Sequence, residues 1–415
     1  MKIHHRLRTK LVAIFFIVTL IPALITGMYA MQVSSKSLRK QAISTQMEQA
    51  KTLKNNLTSF LVTTKGDLLF LSQSPLMKDY LSLRSTNQSS SKSEGALTIP
   101  PDSEEPAKKA PQNALEQKRQ ALEQEFLALS RNRRIYYQIR YLDETGQEVV
   151  RVDSDGLKSQ IIKRDKLQDK SGRYYFKETI RLFGQRTFVS PLDLNREKGQ
   201  IELPYKPVIR YAVNVYDDNN RKAGIVITNV DAAQFIGPLG NIRLVNPDGY
   251  FINHPELEKG WGGPRDLDTG YNLEKEYPQL AKEIIGQYGT ISTPTITLSH
   301  IQVPVSGSAR HWTLIIQRDT DDILKSVTAF RVMFTVILIF TVLIALVLAL
   351  LFSTRITRPI EYLTNIADAI SKGELVNNRV EVEDKGEIGQ LAQAFERMRV
   401  SMIKSFERLR RQSRT

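Results

Sequence analysis

Two stretches of the chain are nearly free of polar positions, and three others repeat apolar residues at helical spacing. From Val332 to Ser353 no residue is charged, and only Thr335 and Thr341 interrupt the apolar run before its end. A helix needs roughly 20 such residues to cross a bilayer, so 330–353 is predicted to span one. Leu11 to Met31 is also uncharged and follows a basic leader, 1–10. It exceeds the apolar core of about 7 to 15 residues typical of a signal peptide, and 11–31 reads as an uncleaved anchor helix. Lys2, Arg6, Arg8 and Lys10 precede the first span, and Arg355 and Arg358 follow the second. By the bias of Lys and Arg toward the cytoplasm, both termini face inward and 32–329 lies outside.

The external part opens with Ile43, Met47, Ala50, Leu53, Leu57, Phe60, Leu61, Leu68 and Leu71, spaced by threes and fours. This predicts one long amphipathic helix from Ser37 to about Tyr80, bent near Gly66, its stripe facing a sheet or the same helix of a second copy. Arg84 to Ala114, with "STNQSSSKSEG" and "PPDSEEPAKKAP", has too few apolar residues to offset the entropy of ordering and is predicted to be a disordered insertion. A short helix over Leu115 to Leu129 follows, closed by Arg131, Arg133 and Arg134 as a solvated end. Period-two runs then predict strands at Tyr136 to Leu142 and Glu148 to Asp153, joined by the turn "DETGQ", and at Thr187 to Ser190, Val208 to Tyr216 and Gly224 to Val230. A second set comprises Ile242 to Val245, Tyr250 to Asn253, Thr290 to Leu298, Ile301 to Val305 and "HWTLIIQ" from His311 to Gln317. The pattern predicts an α+β protein: a long N-terminal helix, two tandem PAS-like antiparallel-sheet modules, and two transmembrane helices.

Beyond the second span, Ile356, Ile360, Leu363, Ala367 and Ile370 form one heptad seam and Ile388, Leu391, Phe395, Met398 and Met402 another. Pro359 falls at a helix start, and Gly373 ends the first helix. One helix pair cannot bury two seams, so two chains are expected to build a four-helix bundle. Pro359, Gly373, Leu375, Val382, Glu387, Ile388, Gly389, Phe395 and Met398 together resemble the HAMP domain, a parallel coiled-coil signal relay, placed here at 354–406 before a basic tail, 407–415. The acidic residue that usually precedes the Glu is Gly386 here.

The external segment, 32–329, resembles the double Cache sensors of bacterial histidine kinases, diguanylate cyclases and chemoreceptors. The resemblance rests on the long leading helix, "YYQIRYLDETGQEVVRVD", "RYYF", "SPLDLN", "PVIRYAVNV", "GIVITNVD" and "NPDGYFINHPELEKGWG". It implies a small molecule held in the first module, with Arg173 and Tyr175 at the Arg-x-aromatic position and Asp231 just past a late strand. An Arg and an Asp would clamp a carboxylate and an ammonium. Tyr175 and Phe176 replace the Trp and Tyr of the amino-acid-binding pattern, and Gln168 stands where that pattern has Tyr. Arg140 joins this candidate set as a charge inside a strand, whereas Arg151 reads as pairing with Asp153 or Asp143. Trp261 reads as a core plug of the second module.

The 415 residues carry a net charge of +14, no Cys and five His. Thiol chemistry is excluded. The basic ends flank the spans, so anionic lipid headgroups rather than nucleic acid are the expected partner. No phosphate loop, nucleophile elbow, zinc or calcium motif is present, and neither cofactor, metal nor catalysis is expected. The chain stops at Thr415, shortly after the relay segment. The reading is a homodimeric receptor of the bacterial inner membrane, relaying to a cytoplasmic kinase, cyclase or other output protein. The alternatives are the receptor part of a histidine kinase or diguanylate cyclase whose output region is missing or separately encoded, and a membrane-anchored binding protein without signalling.

Overall fold

The computed structural model describes residues 7–94, 105–197, 199–372, 380 and 386–412. They form two compact units, one within 42–323 and one built from the segments on either side of it. The chain begins with three helices, α1 (Leu7–Gln73), α2 (Pro75–Glu94) and α3 (Glu105–Arg133). The helix is not interrupted at Gly66: α1 runs on to Gln73, and the break falls at Ser74. There the Ser74 hydroxyl accepts the Met77 N–H at 3.1 Å, and Pro75 takes a first-turn position that needs no N–H.

The predicted disordered insertion is corrected in the same region. Residues 84–94 continue α2 and 105–114 open α3; the part between lies outside the described residues. Arg84 donates to the Tyr141 hydroxyl at 3.2 Å and pairs with Glu144 at 2.8 Å, while Lys118 meets Asp79 at 2.7 Å between α3 and α2. The anchored ends supply the costly nucleus, from which each added residue gains one bond, so α2 extends even through Ser, Thr and Asn. The short helix expected at Leu115 is for the same reason much longer.

Ten elements build the first sheet and its cover: β1 (Tyr136–Asp143), β2 (Glu148–Ser154), β3 (Ser159–Ile161), α4 (Tyr174–Arg181), β4 (Thr187–Val189), β5 (Asp193–Leu194), the small hairpin β6 (Arg196–Glu197) and β7 (Gln200–Ile201), β8 (Pro207–Tyr216) and β9 (Lys222–Asp231). The antiparallel order is β3-β2-β1-β9-β8-β4, with β5 also on β8. The five predicted strands are present, and two short edge pieces, β3 and β5, extend them. The second sheet, ordered β11-β10-β14-β13-β12, contains β10 (Arg243–Val245), β11 (Phe251–Asn253), β12 (Gly289–Ser292), β13 (Ile296–Pro304) and β14 (His311–Asp319). Short helices α5 (Ala233–Ile236), α6 (Leu273–Glu276) and α7 (Ala281–Gly286) intervene. The turn between β12 and β13 falls at Thr293–Thr295 rather than after Leu298, because Pro294 cannot donate to a ladder and the Thr293 hydroxyl accepts the Ile296 N–H at 3.0 Å.

The main core joins the α1 stripe to both sheets. Ala50, Leu57, Leu61, Leu68 and Leu71 pack with Ile139, Tyr141, Tyr211 and Val226 of the first sheet and with Ile301, Trp312, Leu314 and Ile316 of the second. Gln46 pins the helix by donating to the Ile316 carbonyl at 2.8 Å. Trp261 is half-buried against this core. The opposite face of the first sheet, with Leu142, Ala212, Ile225 and Ile227, is covered by Tyr175 and Phe176 of α4.

The flanking unit contains the start of α1, most of α8 (Thr320–Phe352), α9 (Arg358–Ser371) and α10 (Glu387–Gln412). Among the described residues two helices, containing the predicted spans, are long and apolar enough to cross a membrane. Gly27 lets them approach: a Cβ there would lie 3.1 Å from the Phe334 ring. A wider π turn over Ser353–Thr357 separates α8 from α9. Leu363 and Ile366 of α9 bury with Ala392 of α10 and Val380, flanked by Ile370 and Phe395. Pro359 sits in the first turn of α9, and Glu387 and Ile388 open α10. Gly373, Leu375 and Val382 lie outside the described residues.

Candidate ligand-binding site

Strand register decides which side chains meet under α4. Gln138, Arg140 and Leu142 of β1 lie opposite Asn229, Ile227 and Ile225 of β9, which in turn face Arg210, Ala212 and Asn214 of β8. One end of this face is apolar and closed by α4; the other is polar. Arg140, only 3% exposed, donates to Glu148 at 3.3 Å, to the Tyr175 hydroxyl at 3.2 Å and to Asn229 Oδ1 at 3.0 Å. Its guanidinium also lies over the Tyr175 ring, 5.4 Å from the centroid. Its Nε is buried without a hydrogen-bond partner among the described residues. Arg151, as expected from its spacing, makes a two-bond pair with Asp153 at 2.8 and 2.7 Å.

The other candidates lie at the margins of this network. Arg173 is the exposed residue that precedes the first turn of α4. Asp231 is buried at the end of β9, where it accepts the Ala233 N–H at 3.0 Å and the Gln234 amide at 3.0 Å. It thus holds the turn into α5. A hydrogen bond from Tyr137 to Asp231, after the larger effect of burial, raises the Tyr137 hydroxyl above its ordinary range. The structure brings Arg140 and Tyr175 together and gives Asp231 and Arg173 separate settings.

Two clefts, one of them bordered by α4, open on residues the sequence reading did not single out. One, of about 610 Å³, is lined by Tyr174, Glu178, Phe188, Val189, Pro191, Asp193, Arg196, Arg265 and Arg310. The other, of about 490 Å³, lies between loops of the two sheets and includes Ser190, Asp193, Asn246, Tyr250, Asp266, Arg310 and Trp312. Arg210 donates to Asp193 at 2.9 Å and to Asn195 at 3.0 Å at their edge. Burial raises the Tyr174 hydroxyl, against the pull of the Arg210 charge. No group of three potential metal ligands occurs among the described residues.

Residues 110–293 match the model of the bacterial histidine kinase sensor domain, and residues 351–404 match that of the HAMP domain. The chain carries a bacterial sensor domain and a HAMP domain. No curated protein is detectably similar to it. Among solved structures, a domain of a Vibrio parahaemolyticus protein assigned to the sensory box/GGDEF family is similar at a TM-score of 0.55 and 20% identity, covering 69% of this chain and 99% of that one. The extracellular domain assigned to a histidine kinase, vpHK1S-Z8, has the same TM-score of 0.55 and 20% identity, covering 71% of this chain and 96% of that one. These likenesses concern the fold.

Within the sensor domain, one carboxyl ties the two sheets and titrates in an accessible range. Asp266, from the loop before α6, accepts the Leu194 N–H of β5 at 2.7 Å. Burial, reinforced by the Asp193 charge and opposed by that hydrogen bond, lifts it to about 6. An unfolded Asp titrates near ~3.9, so between these values the folded chain holds a proton that the unfolded chain has released. Stability therefore falls as pH rises through this window. Melting of the sensor domain between pH 4 and 7 is expected to lose on the order of 1 kcal/mol from this group, the shift being discounted for partial solvent screening. The same pH series on Asp266→Asn should lack that component; an unchanged profile would assign it to another residue.

Proposed function

We propose that the chain is a homodimeric transmembrane receptor that senses an extracytoplasmic small molecule through a double Cache domain and relays the event across the inner membrane to its HAMP domain. A cytoplasmic kinase, cyclase or other output protein receives the signal. The observation that carries this reading is the junction of β14 with α8: Asp319 ends the strand and Thr320 begins the helix that contains the second span. The junction is clamped as well as continuous. The Thr320 N–H bonds to the Thr295 carbonyl at 2.9 Å and its hydroxyl to the Thr293 carbonyl at 3.0 Å, so displacement of the second sheet is handed to α8 without a flexible linker.

The ligand is assigned to the α4 face, with Arg140 and Tyr175 at its centre and Arg173 and Asp231 at its edges. The unpartnered Arg140 Nε supports this, because a buried donor without an acceptor is a place for one more. Dimerisation accounts for Leu391 and Met398, which remain 44% and 39% exposed on α10 although they belong to the predicted seam. A ligand drives such a relay only through different affinities for two states.

The test uses the full chain in lipid nanodiscs, screened by thermal shift against small acids, amines and nucleobases. A ligand at 100 times its Kd adds about 2.7 kcal/mol to the sensor domain, a readable shift. The hit should disappear in Arg173→Ala and Asp231→Ala, and it should change the rate at which cysteines introduced at Ile360 cross-link two chains. A bound ligand that leaves cross-linking unchanged in every register rules out the relay.

A further inference from the structure

Three guanidinium groups converge on the larger cleft with no carboxylate in ion-pairing reach of any of them among the described residues. Each is held differently. Arg310, in the loop before β14, is half-buried; it donates to the Val189 carbonyl of β4 and, at 3.3 Å, to the Ser308 hydroxyl. Arg196 donates to the Gly199 carbonyl at 3.1 Å and to the Arg265 carbonyl at 3.1 Å, which leaves its charge at the cleft rim. Arg265 is exposed, and its guanidinium has no hydrogen-bond partner among the described residues.

The acidic residues nearby act on this group only from beyond ion-pairing distance, Asp193 and Asp266 on Arg196 and Arg265, and Glu178 on Arg310. Asp193 is engaged by Arg210 at 2.9 Å, and Asp266 spends its carboxylate on the Leu194 N–H. Glu178 lines the same cleft from α4 but is exposed and makes no ion pair. Burial, and then the neighbouring Arg265 charge, make the Arg310 guanidinium a less favourable place for its proton than in water. Arg310, half-buried and without a carboxylate in contact among the described residues, is a positive charge that a bound anion would offset. The clefts share Pro191, Asp193, Arg265 and Arg310, and the volume of about 610 Å³ is of small-molecule size.

We propose that this cleft binds a small multivalent oxyanion, bearing carboxylate or phosphate groups, between Arg196 of the β6–β7 hairpin and Arg265 and Arg310 on loops of the second module. Guanidinium forks meet either group with two parallel hydrogen bonds. Because Arg196 stands on the β6–β7 hairpin and Arg265 and Arg310 on loops of the second module, the anion ties the two modules together. It adds to the Asp266 bond and to the contacts of Arg310 with Val189 and of Arg196 with the Arg265 carbonyl. The site is distinct from the α4-face network around Arg140, and it stands independently of which molecule that face binds.

The experiment is titration calorimetry of the full chain in zwitterionic nanodiscs with two probes, citrate and inorganic phosphate, at ionic strength held constant with sodium chloride. Saturable binding of at least one is expected, with Arg265→Gln weakening it about tenfold or more, as loss of a charge-assisted hydrogen bond implies. Arg265→Lys, which keeps the charge and loses the fork, should fall between. Binding of citrate alone identifies a carboxylate ligand, and binding of phosphate alone a phosphoryl ligand. Arg173→Ala should leave the affinity unchanged, which separates this site from the proposed sensing site. Arg265 is exposed and its guanidinium makes no hydrogen bond or ion pair among the described residues, so Arg265→Gln is expected to fold. Failure of both probes to saturate at millimolar concentration, or undiminished affinity in Arg265→Gln, overturns the proposal.

Discussion

Replacing Arg140 by Met should lower the stability of the sensor domain by about 3 kcal/mol, the lower end of the cost of breaking a buried ion pair from one side. Met fills much of the same volume, so the loss is electrostatic rather than a cavity. It strands Glu148, whose side chain is 0% exposed, and removes the donors that satisfy Asn229 Oδ1 and the Tyr175 hydroxyl. The cost stays at the lower end because Glu148 keeps Arg151 at 3.5 Å and the Gln168 N–H at 3.1 Å. Adding Glu148→Gln to Arg140→Met should restore part of the loss, since a neutral amide tolerates burial better than a carboxylate. Denaturant melts of the single and double variants measure both terms. An Arg140→Met protein as stable as its parent would mean that Arg140 carries no structural burden and is free for the ligand.

What could be read from the sequence follows from where side-chain period is strict. The α1 stripe, the β1–β2 hairpin and strands β8 and β9 each repeat apolar residues at one spacing, so their faces were legible. Helix α4 was not predicted, although Tyr175, Phe176 and Thr179 are its buried residues. A helix of 8 residues offers barely two turns of signal, and "RYYF" also reads as strand. The cleft was harder still. Its arginines stand on a two-residue strand at 196 and on loops at 265 and 310, brought together only by tertiary packing, and such short or irregular segments carry no period that announces a common destination. Composition misled at 84–114 for a related reason. Polar residues were counted against ordering, but contacts made by Arg84 and Lys118 outside or at the edge of the stretch anchor the helices that enter it from either side, as far as Glu94 and from Glu105.

Gly224→Ala is expected to be the most damaging small substitution in the sensor domain. Gly224 has φ +133°, a conformation that L side chains rarely adopt, and a Cβ built there falls 2.1 Å from the Leu142 carbonyl oxygen and 2.8 Å from Asp143 Cα. Neither obstacle is a flexible side-chain end. Backbone strain of about 1–3 kcal/mol and overpacking of about 1–3 kcal/mol act together, so a loss of at least about 3 kcal/mol is expected. The control is the same exchange at Gly66, exposed in α1 with nothing within 4 Å of its built Cβ. Ala there should raise stability by about 0.5–1 kcal/mol, because glycine is a poor residue for a helix interior. Opposite signs for one chemical change would tie the effect to conformation rather than to the added methyl. The consequence at Gly224 reaches the candidate site. Gly224 lies opposite Asp143 of β1 and Val215 of β8, in the ladders that also set Arg140 beside Asn229 and Asn229 beside Arg210. Displacing β1 to relieve the clash therefore moves Arg140 away from Asn229 Oδ1, and ligand binding at the α4 face should weaken along with stability. Retained binding in a folded Gly224→Ala variant would show that this register does not position the ligand-binding residues.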